Sequence, residues 1–428
     1  MDLLVYTQQQ LAGFISQYTP QRIVIAYSGG LDSSALLHCL SRLNLTIPVL
    51  AVHVNHGLSS NSQSWAEHCQ QQCDELAIPL SVHNVSLIPE QGNLEEQARE
   101  ARYKVFKTFM EQGDALLMAH HQDDQVETFF MRLMRGSGLT GLSSIPQTRS
   151  FAGGDIFRPW LQVGRKTLEA FVSEQKIPHI HDESNDETHF DRNWWRHDLL
   201  PRIKKRYPQS AASVESTIGI LQQERAVLNA LLQPVYNTVV ELDGRLQCDA
   251  LVTYSEIIQV QLIREWLEQM EVYPSLSQGQ ILQVLQDVVK AQVDAEPVFR
   301  WQENEIRRFN GFLYPLAHQK REAIEECEFE GEDLALPNGQ LTCLKGVGLK
   351  PDQYRVVGYQ GGLKAKPSGR PTKTLKKWFQ EWNIPPWQRA TWPVLMREDK
   401  VAAVPGLFVC EAFSTDEGWM LDYRVNKK

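Results

Sequence analysis

The chain has 428 residues, of which 42% are hydrophobic, and it carries a formal charge of −9 at pH 7. This length is typical of two to four domains, each with enough apolar side chains for a core. The negative charge excludes a protein that coats nucleic acid with its whole surface, so such binding needs a local basic patch. The sequence contains no run of about 18 apolar residues, which is the length needed to span a membrane. The acidic, glutamine-rich start and seven cysteines without a CxxC pair predict a cytoplasmic protein with reduced thiols.

A buried strand followed by a glycine turn is predicted near the start of the chain. Residues 23–26 are apolar and mostly β-branched, and Ser28-Gly29-Gly30-Leu31-Asp32-Ser33 leads directly into a helical pattern. Glycines let an anion approach the backbone, and the helix N-terminus attracts negative charge. The turn therefore predicts a phosphate site, with Asp32 as a candidate Mg²⁺ ligand because a carboxylate beside a phosphate needs a cation between them. The alternative is an ordinary strand-to-helix turn capped by Asp32 or Ser33.

Strands and helices alternate from residue 21 to about residue 161. Further strands are predicted at 47–54, 80–85 and 115–119, and helices at 65–76, 94–110 and 125–135. This order predicts an α/β fold with a doubly wound, Rossmann-like parallel sheet, in which ligands bind at the carboxyl ends of the strands.

Polar residues follow two of these strands. His53 to Leu58 comes after the second strand, and His120-His121-Gln122-Asp123-Asp124 comes after the fourth. We expect Asp124 to join Asp32 around Mg²⁺ and His120 to lie near the reacting group; the alternative is that the paired aspartates only cap a helix. Arg102 lies on the helix between these two polar segments. Its side chain could contact a phosphate or could be an ordinary solvated charge, and the sequence favours neither. The GxGxxG match at residues 136–141 follows a helix, so it predicts a loop beside the site and no dinucleotide turn.

Basic residues alternate with tryptophans in the segment from 191 to 206. Arg192, Asn193 and Arg196 surround Trp194 and Trp195, a mixture that suits unpaired RNA bases and their phosphates. The alternative is that the tryptophans belong to the core and the basic residues form a solvated face.

The apolar spacing becomes helical from about Tyr207 to Arg308, which predicts a helical middle domain. An acidic stretch at 322–333 marks the passage into a third, mixed α/β domain. That domain has a run of basic residues without an acid among them: Lys364, Lys366, Arg370, Lys373, Lys376 and Lys377. A helix at 374–382 would bury its apolar face and leave the lysines outside, which predicts a nucleic-acid footprint. A basic surface that serves solubility alone is the alternative.

The glycine turn resembles the PP-loop of N-type ATP pyrophosphatases, which cleave ATP between its α- and β-phosphates, and it lacks the Gly-Lys-Ser/Thr of a Walker A loop. Nearly the whole chain resembles the tRNA(Ile)-lysidine synthetase family, in motifs at 28–33, 53–58, 120–128, 135–138, 182–185, 192–193, 376–389 and 406–409. It departs from that pattern at Ser59, where many relatives have arginine, and at the bulky Trp194 and Trp195.

The resemblance implies a ligase that joins L-lysine to C2 of the wobble cytidine in the CAU anticodon of tRNA(Ile). ATP would adenylate the base with release of pyrophosphate, and lysine would then displace AMP. The implied domains are a PP-loop domain at 1–206, a helical tRNA-positioning domain at 207–330 and a basic tRNA-binding domain at 331–428.

The implied site residues fall into three groups. Ser28, Gly29, Gly30, Leu31, Asp32 and Ser33 would bind ATP. Asp32 and Asp124 would bind Mg²⁺, while His120 and Arg102 would steady the α-phosphate and the adenylated base. Arg192, Asn193, Arg196 and the six basic residues of the last domain would bind tRNA.

Two other functions remain open at this point. A tRNA sulfur transferase of the same superfamily would need paired cysteines or a cluster, which the scattered cysteines disfavour. An ATP-gated tRNA-binding protein would perform no ligation.

Overall fold

The computed structural model describes residues 1–57, 59, 61–85, 94–183, 191–292, 295–317 and 322–425. Leu58, Ser184 and Asn185, which belong to the motifs above, lie outside these residues. The chain divides into two compact units, Met1–Ala230 and Leu231–Lys428. In the described ranges no helix has both the length and the apolar character needed to cross a bilayer.

The first unit is built on a six-stranded sheet with the order β3-β2-β1-β4-β6-β5. Its strands are Arg22–Ala26 (β1), Val49–Asn55 (β2), Leu80–Asn84 (β3), Asp114–Leu117 (β4), Thr148–Phe151 (β5) and Gly154–Phe157 (β6). All neighbours pair in parallel except β5 with β6. The predicted doubly wound parallel sheet is therefore confirmed.

Strand β1 lies at the centre of this sheet, where Ile23 pairs with Val49 on one side and with Ala115 on the other. Successive side chains of a strand point to opposite faces. Ile23 and Ile25 accordingly enter one hydrophobic core and Val24 enters the other. Burial on both faces explains why β1 reads as a continuous apolar run and not as an alternating one.

Helices cover both faces of the sheet. They are Leu3–Tyr18 (α1), Leu31–Ser41 (α2), Ser62–Glu75 (α3), Leu94–Phe109 (α4), Gln122–Met134 (α5), Leu139–Leu142 (α6), Arg165–Gln175 (α7), Asp191–Trp194 (α8), Leu200–Arg206 (α9) and Ser210–Val239 (α10). A π-helical segment, Trp195–Leu199, joins α8 to α9. The strands and helices predicted between residues 22 and 135 all form, with their ends shifted by a few residues.

The hairpin of β5 and β6 was not predicted. Its turn uses Ala152 and Gly153, both with positive φ, and Gly154 lies so close to β4 that an added Cβ would be 2.1 Å from the carbonyl oxygen of Asp114. Two positive φ values are typical of a tight hairpin turn. The sequence signal for this hairpin was the pair Gly153-Gly154 between two very short apolar stretches.

The second unit begins with a mixed region. It contains Leu246–Gln247 (β7), Cys248–Leu251 (α11), Glu256–Gln269 (α12), Gln278–Gln283 (α13), a π-helical segment Val284–Val289, Val298–Trp301 (β8), Asn304–Phe309 (β9) and Phe312–Ala317 (β10). Ile281, Val284, Leu285 and Val288 lie in this region at helical spacing, and all four are buried. The helical prediction up to Arg308 is wrong beyond Val289, because β8 and β9 form an antiparallel pair in a four-stranded sheet.

The remainder of the second unit is a mixed α/β domain, as predicted. Its strands are Cys327–Phe329 (β11), Leu334–Leu336 (β12), Gly339–Leu349 (β13), Tyr354–Gly358 (β14), Lys364–Ala365 (β15), Lys373–Thr374 (β16), Pro393–Arg397 (β17), Lys400–Val404 (β18), Phe408–Val409 (β19) and Ser414–Val425 (β20). Its helices are Leu375–Glu381 (α14) and Pro386–Arg389 (α15). Leu375, Trp378 and Phe379 of α14 are each 1% exposed, which confirms the predicted buried face.

Candidate active site

The glycine turn lies between β1 and α2, at the carboxyl edge of the sheet. Gly29 has a φ of +81°, and a Cβ there would be 2.5 Å from Cδ1 of Ile180 and 2.8 Å from Sγ of Cys69. The carbonyl oxygen of Gly29 also accepts a 2.9 Å hydrogen bond from the N–H of Ile180. Position 29 therefore requires glycine for both its backbone conformation and its close packing.

Serine hydroxyls hold the turn in shape. Oγ of Ser33 lies 3.0 Å from Oγ of Ser28 and accepts from the N–H of Ser28 at 3.2 Å, while Oγ of Ser34 donates to the carbonyl of Gly29 at 3.0 Å. Since the first N–H groups of a helix have no partner within the helix, the start of α2 presents donors at this corner. The arrangement can bind an anionic phosphate.

His121 lies between the two carboxylates that the sequence singled out. Its Nε2 is 3.6 Å from Oδ2 of Asp32 and 3.7 Å from Oδ2 of Asp124, and the residue is 1% exposed. Burial opposes protonation, but the charges of Asp124 and Asp32 raise the pKa of His121 overall. The turn after β1 and the turn after β4 therefore meet at one imidazole.

A clamp of two arginines fixes the carboxylates of α5. Arg192 donates to Oδ1 of Asp124 at 2.8 Å and to Oε2 of Glu127 at 2.9 Å, and Arg196 donates to both oxygens of Glu127 at 2.7 and 2.9 Å. Burial alone would raise the pKa of Asp124, yet His121 and Arg192 hold it well below its usual range. Burial alone would lower the pKa of Arg196, and Glu127 raises it. These residues form a charged network in which Asp124 stays ionised.

Arg192, Asn193 and Arg196 thus have contacts inside the protein. Both guanidinium groups bind buried carboxylates, and Asn193 is 8% exposed. The segment is held against α5, and its assignment to tRNA stays a prediction.

His120 is half-buried, and its Nδ1 is inaccessible to solvent with no hydrogen-bond partner among the described residues. Burial, followed by the charges of Arg158, Arg192 and Arg102, outweighs Asp124 and lowers the pKa of His120 well below its ordinary value. His120 is therefore neutral near pH 7.

Arg102 lies near two corners of the sheet edge. Its charge acts on His120 after β4 and on His56 after β2, where burial is the larger effect and the pKa of His56 falls to about 4. The predicted placement of α4 between these corners explains the proximity.

The carboxylates offer a place for a Mg²⁺ ion. Oδ1 of Asp32 is buried and has no hydrogen-bond partner in the described part of the chain, whereas both oxygens of Asp124 are hydrogen-bonded, to Arg192 and to the N–H of His121. Within the same part of the chain, no cluster of three or more His, Cys, Asp or Glu side chains could hold a metal by itself. Mg²⁺ commonly uses one or two carboxylates together with waters and substrate phosphates. Asp32 fits such an ion directly, and Asp124 fits through its remaining lone pairs.

His121 and Glu127 are the two residues that the sequence did not assign. His121 is the N-cap of α5, and its N–H donates to Oδ2 of Asp124 at 2.9 Å, three residues along the chain. Glu127 is 1% exposed in the next turn of the helix. The available sequence signal for His121 was Asp124, a carboxylate three residues after the helix cap. The available signal for Glu127 was its position one helical turn after Asp124.

The six basic residues of the last domain divide into two groups. Lys366 pairs with Glu411 at 2.6 Å, Arg370 lies 3.7 Å from Glu381, and Lys373 also pairs with Glu381. Lys364, Lys376 and Lys377 are exposed, and within residues 322–425 none of them forms an ion pair. The acidic partners are Glu381, at the end of α14, and Glu411, 30 residues further along the chain. Neither lies within the run of basic residues from 364 to 377.

All seven cysteines are free thiols. Burial is the largest effect on Cys69 and Cys73 and raises the pKa of each to about 12. Thiols of this kind are protonated and unreactive.

Family comparisons cover most of the chain. A PP-loop domain model matches residues 3–203, a TilS substrate binding domain model matches residues 246–314, and a TilS substrate C-terminal domain model matches residues 354–423. Among solved structures, the U34-tRNA thiolase NcsA from Methanococcus maripaludis is 16% identical with a TM-score of 0.42, over 51% of this chain and 80% of that chain.

Curated relatives align along nearly the full length. The tRNA(Ile)-lysidine synthase of Vibrio parahaemolyticus is 38% identical over 93% of this chain and 94% of its own. That of Coxiella burnetii is 34% identical over 99% of this chain and 98% of its own. The chain therefore belongs to the tRNA(Ile)-lysidine synthase family.

Proposed function

We propose that this protein ligates L-lysine to C2 of the wobble cytidine in the CAU anticodon of tRNA(Ile), at the expense of ATP. The observation that carries the proposal is the meeting of Asp32 and Asp124 at Nε2 of His121, at 3.6 and 3.7 Å, on the sheet edge that also bears the glycine turn. Adenylation chemistry needs a phosphate cradle and a cation site side by side, and the residues at this edge are suited to both.

The glycine turn would hold the departing pyrophosphate. Its serine hydroxyls and the N-terminus of α2 favour negative charge, so they stabilise the β- and γ-phosphates as the bond from the α-phosphorus breaks. Glycine at position 29 preserves the shape of this turn, because a Cβ there would clash with Ile180.

Asp32, with Asp124 beside it, would hold Mg²⁺. When bound, such an ion offsets the charge that develops on the phosphates during transfer. The arginine clamp contributes by keeping Asp124 ionised and fixed in orientation. Its role is thus to position a carboxylate, and contact with the reacting atoms is not required of it.

The reaction would proceed in two displacements. The C2 oxygen of cytidine attacks the α-phosphorus and pyrophosphate leaves; the ε-amine of lysine then attacks C2, loses a proton, and AMP leaves with the former C2 oxygen. Neutral His120 can donate one hydrogen bond to the α-phosphate or to the adenylated base, and Arg102 adds a positive charge nearby.

The three stretches 1–206, 207–330 and 331–428 would serve adenylation, positioning of the tRNA and grip on its backbone. Exposed Lys364, Lys376 and Lys377 are the cations available for phosphates in the last stretch. The reaction would take place in the cytoplasm, where tRNA is processed.

The test is base-linked incorporation of labelled lysine. The protein is incubated with labelled lysine, ATP and a tRNA(Ile) transcript with the CAU anticodon, alongside a transcript with U at the wobble position. We expect label only in the first, with one AMP per lysine, and loss of pyrophosphate release in an Asp32→Ala variant. Pyrophosphate release without tRNA, AMP release without lysine, or a mass gain equal to sulfur would refute the proposal.

Sulfur transfer, the rival within the superfamily, is disfavoured because burial raises the pKa of all seven thiols. The buried cysteines of α3 have pKa values near 12 and supply no thiolate.

A further inference from the structure

A cavity of about 370 Å³ lies in the first unit, beyond the carboxylate cluster. It is lined by Met131, Met134, Arg135, Asp191, Trp194, Trp195 and Leu199. It is formed by α5, α8 and the π-helical segment after α8, which also carry Asp124, Glu127 and the arginine clamp. None of the chemistry proposed above uses this cavity.

Two large apolar side chains of the cavity are open to solvent. Trp194 is 44% exposed and Met134 is 65% exposed, whereas Trp195 is 7% exposed and stacks on Phe130 with ring centroids 5.4 Å apart. Trp194 meets the edge of Trp195 at 5.6 Å. Trp195 therefore belongs to the core, and Trp194 presents an aromatic surface that is 44% exposed in the described part of the unit.

The surroundings of the cavity are basic. Arg135 has 63% of its side chain exposed at the rim, 3.8 Å from Asp191. Beyond Leu199, helix α9 adds four exposed cations: Arg202, Lys204, Lys205 and Arg206. Asp198 lies 4.0 Å from Arg202 and offsets only one of them. An apolar, aromatic wall beside a net positive rim is complementary to a nucleotide, with its flat base and anionic phosphates.

The cavity is within a short distance of the reaction site. Met134 is ten residues after Asp124 on the same helix, which at 1.5 Å per residue is about 15 Å along the axis. On α8, Arg192 contacts Asp124 and Trp194 follows two residues later. A strand of RNA whose reacting base is at the carboxylates would bring a neighbouring nucleotide to this cavity.

We propose that the cavity binds one unpaired nucleobase of the substrate RNA, from the same loop as the reacting cytidine, stacked on Trp194. Met131 and Met134 supply a polarisable apolar lining, and Arg135 with α9 contacts the flanking phosphates. The inference rests on the proposed function. It adds a second base-binding subsite on the RNA.

The experiment measures binding of an anticodon stem-loop RNA by three variants at fixed salt. Because stacking of a base on an aromatic ring is worth about 1–3 kcal/mol, Trp194→Ala should weaken binding roughly 5- to 150-fold. Trp194→Phe keeps an aromatic face and should stay within about threefold of the unaltered protein. Trp65→Ala, at a half-buried tryptophan of α3 away from the cavity, is the matched control and should bind normally.

Abasic substitutions identify the occupant. Each loop nucleotide other than the reacting one is made abasic in turn, and each RNA is measured with the unaltered protein and with Trp194→Ala. At one position the two losses should not add, since both remove the same contact. Normal RNA binding by Trp194→Ala, or additive losses at every position, would overturn the subsite. Lysine incorporation by the unaltered protein is measured in parallel, so failure of the subsite is distinguished from failure of the proposed function.

Discussion

At the scale of single residues, adjacent side chains have opposite electrostatic environments. His120 and His121 are neighbours in the chain, yet the pKa of His120 is lowered by burial and arginines, while that of His121 is raised by Asp124 and Asp32 against its burial. The sequence indicated a histidine near the reacting group but assigned only His120. Which histidine faces the carboxylates depends on how α5 begins, and a dipeptide of two histidines does not contain that information.

His56 provides a pH-dependent prediction. Burial, then the charges of Arg102 and His53, lower its pKa from 6.5 to about 4, so the unfolded chain binds more protons than the folded one below pH 6.5. Stability should therefore fall as the pH drops from about 6.5 towards 4. His56→Asn should reduce the loss of unfolding free energy between pH 7 and pH 4.5 by up to about 2 kcal/mol. Urea unfolding at the two pH values measures it, and an unchanged difference between them would contradict the assigned burial.

Glu127 illustrates the same physics for a buried carboxylate. It is 1% exposed and accepts hydrogen bonds from Arg192 and Arg196, so its removal takes a buried carboxylate partner from both arginines. Glu127→Ala should lower the free energy of unfolding by about 3 kcal/mol. The exposed pair of Arg165 and Glu169 is the control, since Glu169→Ala should cost less than about 1 kcal/mol. Equal costs in urea unfolding would show that the clamp is not buried in solution.

At the scale of elements, the strand-turn-helix unit could be predicted because its chemistry is local. An apolar strand, a Gly-Gly turn and a helix start appear consecutively, and β1 and α2 form at the expected places. The hairpin of β5 and β6 and the sheet of β7 to β10 were not found, because their strands are short and gain stability from partners distant in the chain. The helical spacing of apolar residues up to Val289 led us to extend the helical prediction over strands β8 and β9.

Gly29 allows a test of the turn as an element. Gly29→Ala places a Cβ 2.5 Å from Ile180 at a φ of +81°, so it should destabilise the turn by more than about 1 kcal/mol and reduce ATP binding at least tenfold. Gly219 of helix α10 has no atom within 4 Å of the same position, and Gly219→Ala should be neutral or stabilising by up to about 1 kcal/mol. Calorimetric ATP titration and urea unfolding separate the two; normal ATP affinity in Gly29→Ala would place the nucleotide elsewhere.

At the scale of the whole molecule, composition predicted a localised basic surface on an acidic protein, and the structure refines which residues provide it. Three of the six basic residues in the last domain are paired with Glu381 or Glu411. Such pairs depend on tertiary proximity, which a run of lysines in the sequence does not reveal.

The refinement gives a prediction for tRNA binding. Replacing Lys364, Lys376 and Lys377 together by Gln should lower the slope of log affinity against log salt by about 2 to 3, because each phosphate contact contributes slightly less than one. The matched variant replaces Lys366, Arg370 and Lys373 and should lower the slope less, since these cations are already paired. ATP binding should be unchanged in both. A slope in the Lys364, Lys376 and Lys377 variant equal to that of the unaltered protein would remove tRNA from this face.

The central claim is that the glycine turn and the double-aspartate turn act on one ATP molecule. The most direct measurement is a crystal structure with a non-hydrolysable ATP analogue and Mn²⁺, whose anomalous signal locates the ion. We expect the β- and γ-phosphates on residues 28–33 and the Mn²⁺ peak bound to Asp32 on the side facing Asp124. Phosphates bound at another part of the sheet, or a metal peak away from both aspartates, would contradict the account.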